Sequence, residues 1–282
     1  MKKLFCLEVV ATGEDVDRVT GFFALNVSFG WEEEVLSSGQ TRFRVHCENE
    51  SFIQELQGDL MRALPLVQCH LESLDSQDWL VAWRQFFTPV KCGRRFVVLP
   101  PWLADTKDFP GRTSILIEPK SAFGTGHHAT TALCLSVLSD LLDSGRVRPG
   151  QLFLDLGTGT GVLAIACAKS GLAGDGYDID PLALDNAREN RDLNKVEGLT
   201  LGLGSVDSLE NERYDLLLAN ILAGPLTEMA PRLVAVCKPG ACLVLSGLLV
   251  TQADGVENAY RALGLPSARR VKDGEWCALV WE

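Results

Sequence analysis

The chain has 282 residues, 46% of them hydrophobic and 22% charged, a composition typical of a soluble globular protein. This length allows one large domain or two domains of unequal size. The formal net charge of −11 argues against a protein whose main partner is a nucleic acid backbone. The acidity would favour encounter with a basic substrate, but many cytosolic proteins are acidic for solubility alone.

The sequence also indicates where the protein works. No apolar run approaches the ~20 residues that a membrane-spanning helix needs, and Glu8 comes too early for the apolar region of a signal peptide. The nine cysteines form no Cys-x-x-Cys pair, and several lie in apolar runs, where a thiol behaves as a small hydrophobic group. We therefore expect a cytoplasmic protein with no disulfide and no metal site.

Residues 1–74 are predicted to form a small ferredoxin-like α+β domain. Pro65 ends its second helix, and a Ser-Ser-Gly-Gln turn separates its second and third strands. The predicted order is β-α-β-β-α-β, with strands over residues 4–10, 28–36, 41–47 and 66–71 and helices over residues 14–26 and 51–64.

Residues 75–110 are predicted to form a linker that contains an interdomain helix. Trp79, Trp83 and Phe87 recur every four residues, so they share one face of a helix. We expect this face to pack between domains in preference to binding a ligand. Four prolines between residues 89 and 110 then break the chain into short extended pieces.

Residues 111–282 are predicted to form a Rossmann-like α/β domain. Apolar strands alternate with helices from about residue 130, which implies a mostly parallel sheet covered on both faces. Asp273-Gly274 is a hairpin signal, so the last strand pair is expected to be antiparallel and at one edge. The predicted strands span residues 152–156, 174–178, 199–203, 216–219, 241–246 and 276–281.

A glycine-rich turn follows the first of these strands. Residues 152–161 read L-F-L-D-L-G-T-G-T-G, and a turn at the carboxyl end of a strand faces the crevice in which open α/β sheets bind ligands. The third glycine of a dinucleotide fingerprint would fall at Val162. The G-x-G-x-G spacing instead resembles the first motif of class I S-adenosylmethionine-dependent methyltransferases. Asp155 suits the cationic methionine part of that cofactor and suits a pyrophosphate badly.

Two further strand ends carry candidate site residues. Asp178 ends the next predicted strand, where an acidic side chain can accept hydrogen bonds from ribose hydroxyls, as it also does in nicotinamide enzymes. Asp180 is better explained as a helix N-cap before Pro181. Asn220 ends the strand that leads to the predicted acceptor site, with helix N-capping as the alternative role.

Two longer motifs resemble those of the ribosomal protein L11 methyltransferase family. Residues 122–131 read A-F-G-T-G-H-H-A-T-T, similar to the family's A-F-G-T-G-x-H-x-T-T, and residues 220–226 read N-I-L-A-G-P-L, similar to its N-I-L-A-x-P-L box. The resemblance covers the chain from Asp78 on. It implies S-adenosylmethionine as cofactor and the following contacts to it: Thr131, Gly157, Gly159, Asp178 and Asn220.

The resemblance also implies roles for the residues around the site. Asn220 would lie closest to the incoming amine, residues 123–126 would form a loop that closes over the site, and His128 would be the family histidine and not a metal ligand. The small N-terminal domain would recognise the substrate. The family usually has D-P-G and an apolar residue where this chain has E-P-K-S at residues 118–121, a departure that bears on the loop and the substrate range.

The implied function is methylation of lysine and α-amino groups of ribosomal protein L11. We expect a monomer whose partner is this basic protein, with no direct contact to nucleic acid or membrane. A methyltransferase of the same build could instead act on another protein lysine or on a small molecule. Two alternatives belong to other classes: a nicotinamide-dependent oxidoreductase, which Asp155 and Val162 count against, and a non-catalytic binding module, which the Asn220 box counts against.

Overall fold

The computed structural model describes residues 4–27, 31–36, 38–47, 49–74, 88–106, 108–119, 128–209 and 212–282. The chain divides into two compact units, Met1–Phe86 and Phe87–Glu282. The predicted aromatic stripe of Trp79, Trp83 and Phe87 lies outside the described residues. Residues 88–110, which the sequence predicts as part of a linker, lie in the second unit, to which they contribute two strands.

The first unit is a four-stranded antiparallel sheet with two helices. Its strands lie in the order β2-β3-β1-β4. This arrangement confirms the predicted β-α-β-β-α-β order, although the second strand is shorter than expected. The elements are β1 (Leu4–Ala11), α1 (Glu14–Asn26), β2 (Glu32–Val35), β3 (Thr41–Cys47), α2 (Glu50–Ala63) and β4 (Gln68–Leu74).

The two faces of this sheet differ in chemistry. Because side chains alternate along a strand, Leu7 of β1 and Phe43 of β3 point to one face, where they pack against Phe23 of α1 and Ile53 of α2. All four of these side chains are fully buried. The other face is charged, and it carries Glu8, Glu32, Glu34 and Glu72 together with Arg42 and Arg44.

The second unit begins with a small three-stranded sheet. Its strands are β5 (Val90–Cys92), β6 (Phe96–Leu99) and β7 (Thr113–Leu116), in the order β5-β6-β7. β5 is antiparallel to β6, and β6 is parallel to β7. β7 is therefore an edge strand whose outer side must find hydrogen-bond partners elsewhere.

A seven-stranded sheet of order β10-β9-β8-β11-β12-β14-β13 forms the body of the second unit. Its first five strands are parallel, and β14 is antiparallel to both neighbours. This confirms the predicted Rossmann-like sheet with an antiparallel last strand pair at one edge. The strands are β8 (Leu152–Leu156), β9 (Ala173–Asp178), β10 (Leu199–Leu203), β11 (Tyr214–Asn220), β12 (Cys237–Leu249), β13 (Arg269–Asp273) and β14 (Trp276–Trp281).

Helices cover both faces of this sheet. Phe153 of β8 faces one apolar cluster and Leu154 faces the other, as expected for a strand buried on both sides. Every helix in the described ranges is too short or too polar to traverse a lipid bilayer. The helices are α3 (Ala129–Asp143), α4 (Val162–Lys169), α5 (Pro181–Asn194), α6 (Ala223–Glu228), α7 (Ala230–Ala235) and α8 (Ala253–Arg261). Short 3-10 helices span Pro101–Leu103, Val206–Ser208 and Val250–Gln252.

Two details of the sheet differ from the sequence prediction. β12 is about twice as long as expected and contains an irregularity in its pairing with β14 near Gly247. Gly247 has a φ of 86°, and a Cβ there would lie 2.3 Å from the Ile221 carbonyl oxygen, so the chain passes β11 closely at this point. The final hairpin turns at Gly274-Glu275, one residue later than predicted, since Asp273 pairs with Trp276.

Candidate active site

A pocket of about 630 Å³ opens at the carboxyl ends of the parallel strands. Its size is that of a small-molecule site, and its position is where open α/β sheets bind ligands. Most of the residues that line it lie at or just after the ends of β8, β9, β10 and β11, and they include the predicted Gly157, Gly159, Asp178 and Asn220. Four predicted site residues from three separate strand ends therefore meet in one cavity.

The glycine turn has a conformation that only glycine adopts easily. Gly157, Gly159 and Gly161 have φ values of 71°, 55° and 81°, which disfavour any side chain. A Cβ on Gly157 would also lie 2.3 Å from Cγ2 of Ile221, and one on Gly161 would lie 3.3 Å from Cβ of Ala187. The turn thus needs glycine both for its backbone angles and for the close approach of its neighbours.

Asp178 joins the end of β9 to this turn. Its Oδ2 accepts a hydrogen bond from the Gly159 backbone N–H at 2.8 Å, and its Oδ1 accepts one from the Asp180 N–H at 3.0 Å. Each carboxylate oxygen has a further lone pair, so the side chain can still accept hydrogen bonds from a ligand in the pocket. Asp180 accepts from the Leu182 N–H at 2.9 Å as N-cap of α5, which confirms its predicted capping role.

Asn220 ends β11 and lines the pocket. Its Nδ2 donates to Oγ1 of Thr131 at 3.3 Å, and its buried Oδ1 has no hydrogen-bond partner among the described residues. The alternative role as a helix N-cap is wrong, because α6 begins at Ala223 with Leu222 as its N-cap. A buried amide oxygen without a partner is costly, so this atom is a candidate acceptor for a ligand.

The last of the predicted cofactor-binding residues is Thr131. It is fully buried in the first turn of α3 and does not line the pocket, whereas the neighbouring Thr130 does. Its hydroxyl instead contacts the Asn220 amide from behind. The structure thus places the Thr131 hydroxyl in contact with Asn220, and the contact of Thr131 with the cofactor stays a prediction.

Asp155 also differs from expectation, since it lies beneath the glycine turn and not in the pocket lining. Its Oδ2 accepts from Thr158 Oγ1 at 2.7 Å and from the Ala164 N–H at 3.1 Å, and the side chain is completely buried. Burial raises the pKa of this carboxyl to about 7, while its two hydrogen bonds act in the opposite direction. Its role is to hold the turn together.

Two aromatic residues, His128 and Trp276, form a wall of the pocket to which the sequence motifs assigned no role. His128 and Trp276 both line the cavity, and their rings meet edge to face with centroids 4.7 Å apart. His128 also caps α3 through Thr130, and burial lowers the pKa of its imidazole. The only signal in the sequence was the position of Trp276 just after the hairpin signal. The ring contact itself joins two residues that are far apart in sequence.

Some predicted features lie outside the described residues. These are the loop over residues 123–126 and the departure from the family pattern at Lys120 and Ser121. Within the described part of the chain, no group of three or more His, Cys, Asp or Glu side chains could hold a metal ion.

Comparisons with known proteins agree on one family. The family model of ribosomal protein L11 methyltransferase (PrmA) matches residues 22–282. A protein of that name from Chromohalobacter salexigens is 44% identical over 218 residues, which are 77% of this chain and 70% of that protein. Another, from Chloroflexus aurantiacus, is 38% identical over 243 residues, 77% of this chain and 72% of that protein.

A solved structure is similar as well. The ribosomal protein L11 methylase from Lactobacillus delbrueckii subsp. bulgaricus superimposes with a TM-score of 0.62 at 27% identity. The match covers 69% of this chain and 97% of that one. The sequence and structure comparisons therefore agree on the same group of proteins.

Proposed function

Because this chain belongs to the ribosomal protein L11 methyltransferase family, we propose that it transfers methyl groups from S-adenosylmethionine to lysine and α-amino groups of ribosomal protein L11. One observation carries the proposal: the glycine turn, Asp178 and Asn220 surround a single cavity. The first two match the cofactor motifs of the family. The third matches its acceptor box.

The residues present fit the cofactor. Asp178 offers carboxylate oxygens to the two ribose hydroxyls, and the glycine turn lets the backbone approach the ligand without a side chain in the way. Ile179 follows Asp178 in the lining and is 78% exposed, which provides an apolar surface of the kind on which a purine ring packs. The cavity of about 630 Å³ also suits a ligand of this size.

Asn220 is proposed to act on the acceptor amine. The cofactor supplies an electrophilic methyl group on a cationic sulfur, so the protein must present a neutral amine in line with it, about 3 Å away. The unpartnered Asn220 Oδ1 can accept a hydrogen bond from that amine and aim its lone pair. Thr131 holds the other end of the Asn220 amide, so the oxygen is oriented before the substrate arrives.

Deprotonation of the amine does not require a dedicated base in this proposal. Burial of a lysine beside a cationic ligand lowers its pKa, because both desolvation and like charge disfavour the ammonium form. The pocket supplies the desolvation through the His128–Trp276 wall and Ile221. The proton would pass to solvent, and the neutral amine that remains would take the methyl group from the cofactor's sulfur, which would leave as a neutral thioether.

The first unit is proposed to recognise the protein substrate. On the charged face of its sheet, the four glutamates at positions 8, 32, 34 and 72 outnumber Arg42 and Arg44. This excess of carboxylates, within a chain of net charge −11, favours encounter with a basic ribosomal protein. We propose further that the enzyme acts as a monomer in the cytoplasm, without direct contact to nucleic acid or membrane.

Intact-protein mass spectrometry tests the reaction. Recombinant ribosomal protein L11 is incubated with the enzyme and S-adenosylmethionine, beside the Asn220→Ala variant and an Asn258→Ala control at an exposed position of α8. We expect methyl increments with the wild type and the control and none with Asn220→Ala. If cofactor binds but no increment appears with the wild type, the substrate is another protein lysine or a small amine.

A further inference from the structure

Helix α5 buries three asparagines on one face. Asn186, Asn190 and Asn194 are spaced four residues apart, so they lie one above the other. They are 4%, 0% and 8% exposed, although asparagine is usually a surface residue and its amide is costly to bury without hydrogen bonds. The partners of Asn190 and Asn194 explain why the helix carries these two residues, whereas the buried Asn186 Nδ2 has no hydrogen-bond partner among the described residues.

Asn194 serves the edge of the small sheet. Its Oδ1 accepts from the Leu116 N–H at 2.9 Å, and its Nδ2 donates to the Leu116 carbonyl at 2.6 Å. Leu116 ends β7, whose other side pairs with β6. The side-chain amide thus takes the place of a neighbouring strand, which is a structural role.

Asn190 bridges two segments that are far apart in sequence. Its Oδ1 accepts from the Glu118 N–H at 2.9 Å, just beyond β7. Its Nδ2 donates to the Thr160 carbonyl at 2.9 Å and to Asn186 Oδ1 at 3.1 Å. Thr160 lies inside the glycine turn, so one buried amide ties this turn to the chain at residue 118.

The glycine turn depends on such contacts for its shape. Three glycines with positive φ give it little conformational preference of its own. Asp178 holds Gly159 from the pocket side, and Asp155 holds Thr158 from below. Asn190 holds the turn from the side of α5, directly beside the close contact between Gly161 and Ala187.

We propose that Asn190 is a positioning residue for cofactor binding. Its amide keeps the Thr160 carbonyl, and with it the backbone of the glycine turn, in the conformation that receives the cofactor. The same amide keeps the backbone at Glu118 in place against the turn. The proposal rests on the proposed role of the glycine turn in cofactor binding, and it assigns to Asn194 a contribution to stability alone.

The test compares Asn190→Ala with Asn194→Ala in the full chain. Both variants remove a buried amide from the same face of α5 and a contact to residues 116–118, but only Asn190 reaches the turn. Thermal unfolding gives the stability of each variant, and isothermal titration calorimetry gives its Kd for S-adenosylhomocysteine. We expect both variants to lose stability, and only Asn190→Ala to lose affinity, by about tenfold, as for one hydrogen bond that fixes the site.

Steady-state kinetics provide a second measurement, which a loss of stability alone would not change. Asn190→Ala should raise KM for S-adenosylmethionine and leave kcat at saturating cofactor close to the wild type, because the reacting groups are not touched. Asn190→Asp keeps an acceptor for the Glu118 N–H and loses the donor to Thr160, so it should show the same loss of affinity. This variant decides the question if Asn190→Ala does not fold.

Two results would overturn the proposal. One is a Kd for S-adenosylhomocysteine in the Asn190 variants that stays within about twofold of the wild type. The other is an equal loss of affinity in Asn194→Ala, which would mean that destabilised α5 weakens binding in general. A wild-type chain that binds no S-adenosylhomocysteine would instead contradict the proposed function itself, which separates the two failures.

Discussion

The Asn220 side chain donates its amide to the Thr131 hydroxyl at 3.3 Å. This contact leaves the Asn220 oxygen as a buried acceptor without a partner in the described part of the chain. Thr131 itself is fully buried and lies outside the pocket lining. Two residues from distant motifs thus form one unit, in which Thr131 holds the amide of Asn220 and Asn220 lines the pocket.

Replacement of Thr131 by valine tests this division of roles. Valine keeps the branched shape and removes the hydroxyl acceptor, so the Asn220 amide loses its anchor and turnover should fall by about tenfold, as expected for one net hydrogen bond. Affinity for S-adenosylhomocysteine should change little, since Thr131 does not line the pocket. Methylation rates and calorimetry on the same samples measure both.

The Thr131→Ser variant is the matched control, because it keeps the hydroxyl and should retain most of the activity. If Thr131→Val loses cofactor affinity as strongly as turnover, Thr131 contacts the cofactor directly, as the family resemblance implies.

Much of the fold follows from local patterns in the sequence. β8, α1 and β3 have the predicted bounds. β8 is a largely apolar run and β3 alternates between apolar and polar residues, patterns that are typical of strands. The pocket followed from motifs that end strands, because parallel strands bring their carboxyl ends to one edge. Asp178 and Asn220, which both line the pocket, were predicted in this way.

The sequence did not predict how deeply individual polar side chains are buried. Asp155 and Asp178 are both aspartates at strand ends, yet one lies beneath the turn and the other lines the pocket. Asn190 lies in a helix rich in polar residues, a pattern that predicts a solvent-exposed face. Two partners of its amide, the Glu118 N–H just beyond β7 and the Thr160 carbonyl in the glycine turn, are remote in sequence and reach it only once the chain is folded.

The buried Asp155 predicts an unusual dependence of stability on pH. Burial raises the pKa of this carboxyl to about 7 in the folded protein, while the unfolded chain releases the proton near pH 4. The folded state therefore binds the extra proton between these values, so this group's contribution to stability is present at low pH and is lost as pH rises towards about 7.

The Asp155→Asn variant isolates this contribution. The new amide keeps an oxygen for the Thr158 hydroxyl and the Ala164 N–H and carries no charge at any pH. Its free energy of unfolding relative to the wild type should rise between about pH 4 and pH 7 and then level off. Urea unfolding of both proteins across this range gives the difference, and a difference that does not change with pH would contradict the raised pKa.

The charged face of the first unit predicts a variant that binds the protein substrate more weakly and still binds the cofactor. Lysine in place of both Glu34 and Glu72 reverses two exposed charges on that face. KM for ribosomal protein L11 should rise several-fold, with a smaller effect at high salt, because exposed charges are screened. The double variant Glu50→Lys with Glu55→Lys, at two exposed positions of α2, changes the net charge by the same amount and is the control. An equal effect there would place recognition elsewhere.

A comparison of Gly157 with Gly150 separates the effect of backbone strain from the effect of a close neighbouring side chain. Both have positive φ, 71° and 85°, but a Cβ on Gly150 would have open space, whereas one on Gly157 would lie 2.3 Å from Cγ2 of Ile221. Alanine at either position should cost about 1–2 kcal/mol of stability from the left-handed backbone. Only Gly157→Ala should also displace Ile221 and intrude on the pocket, so it should lose most of its affinity for S-adenosylhomocysteine. Calorimetry on the two variants decides this, because equal and small losses would mean that the turn tolerates a side chain where the cofactor is proposed to approach.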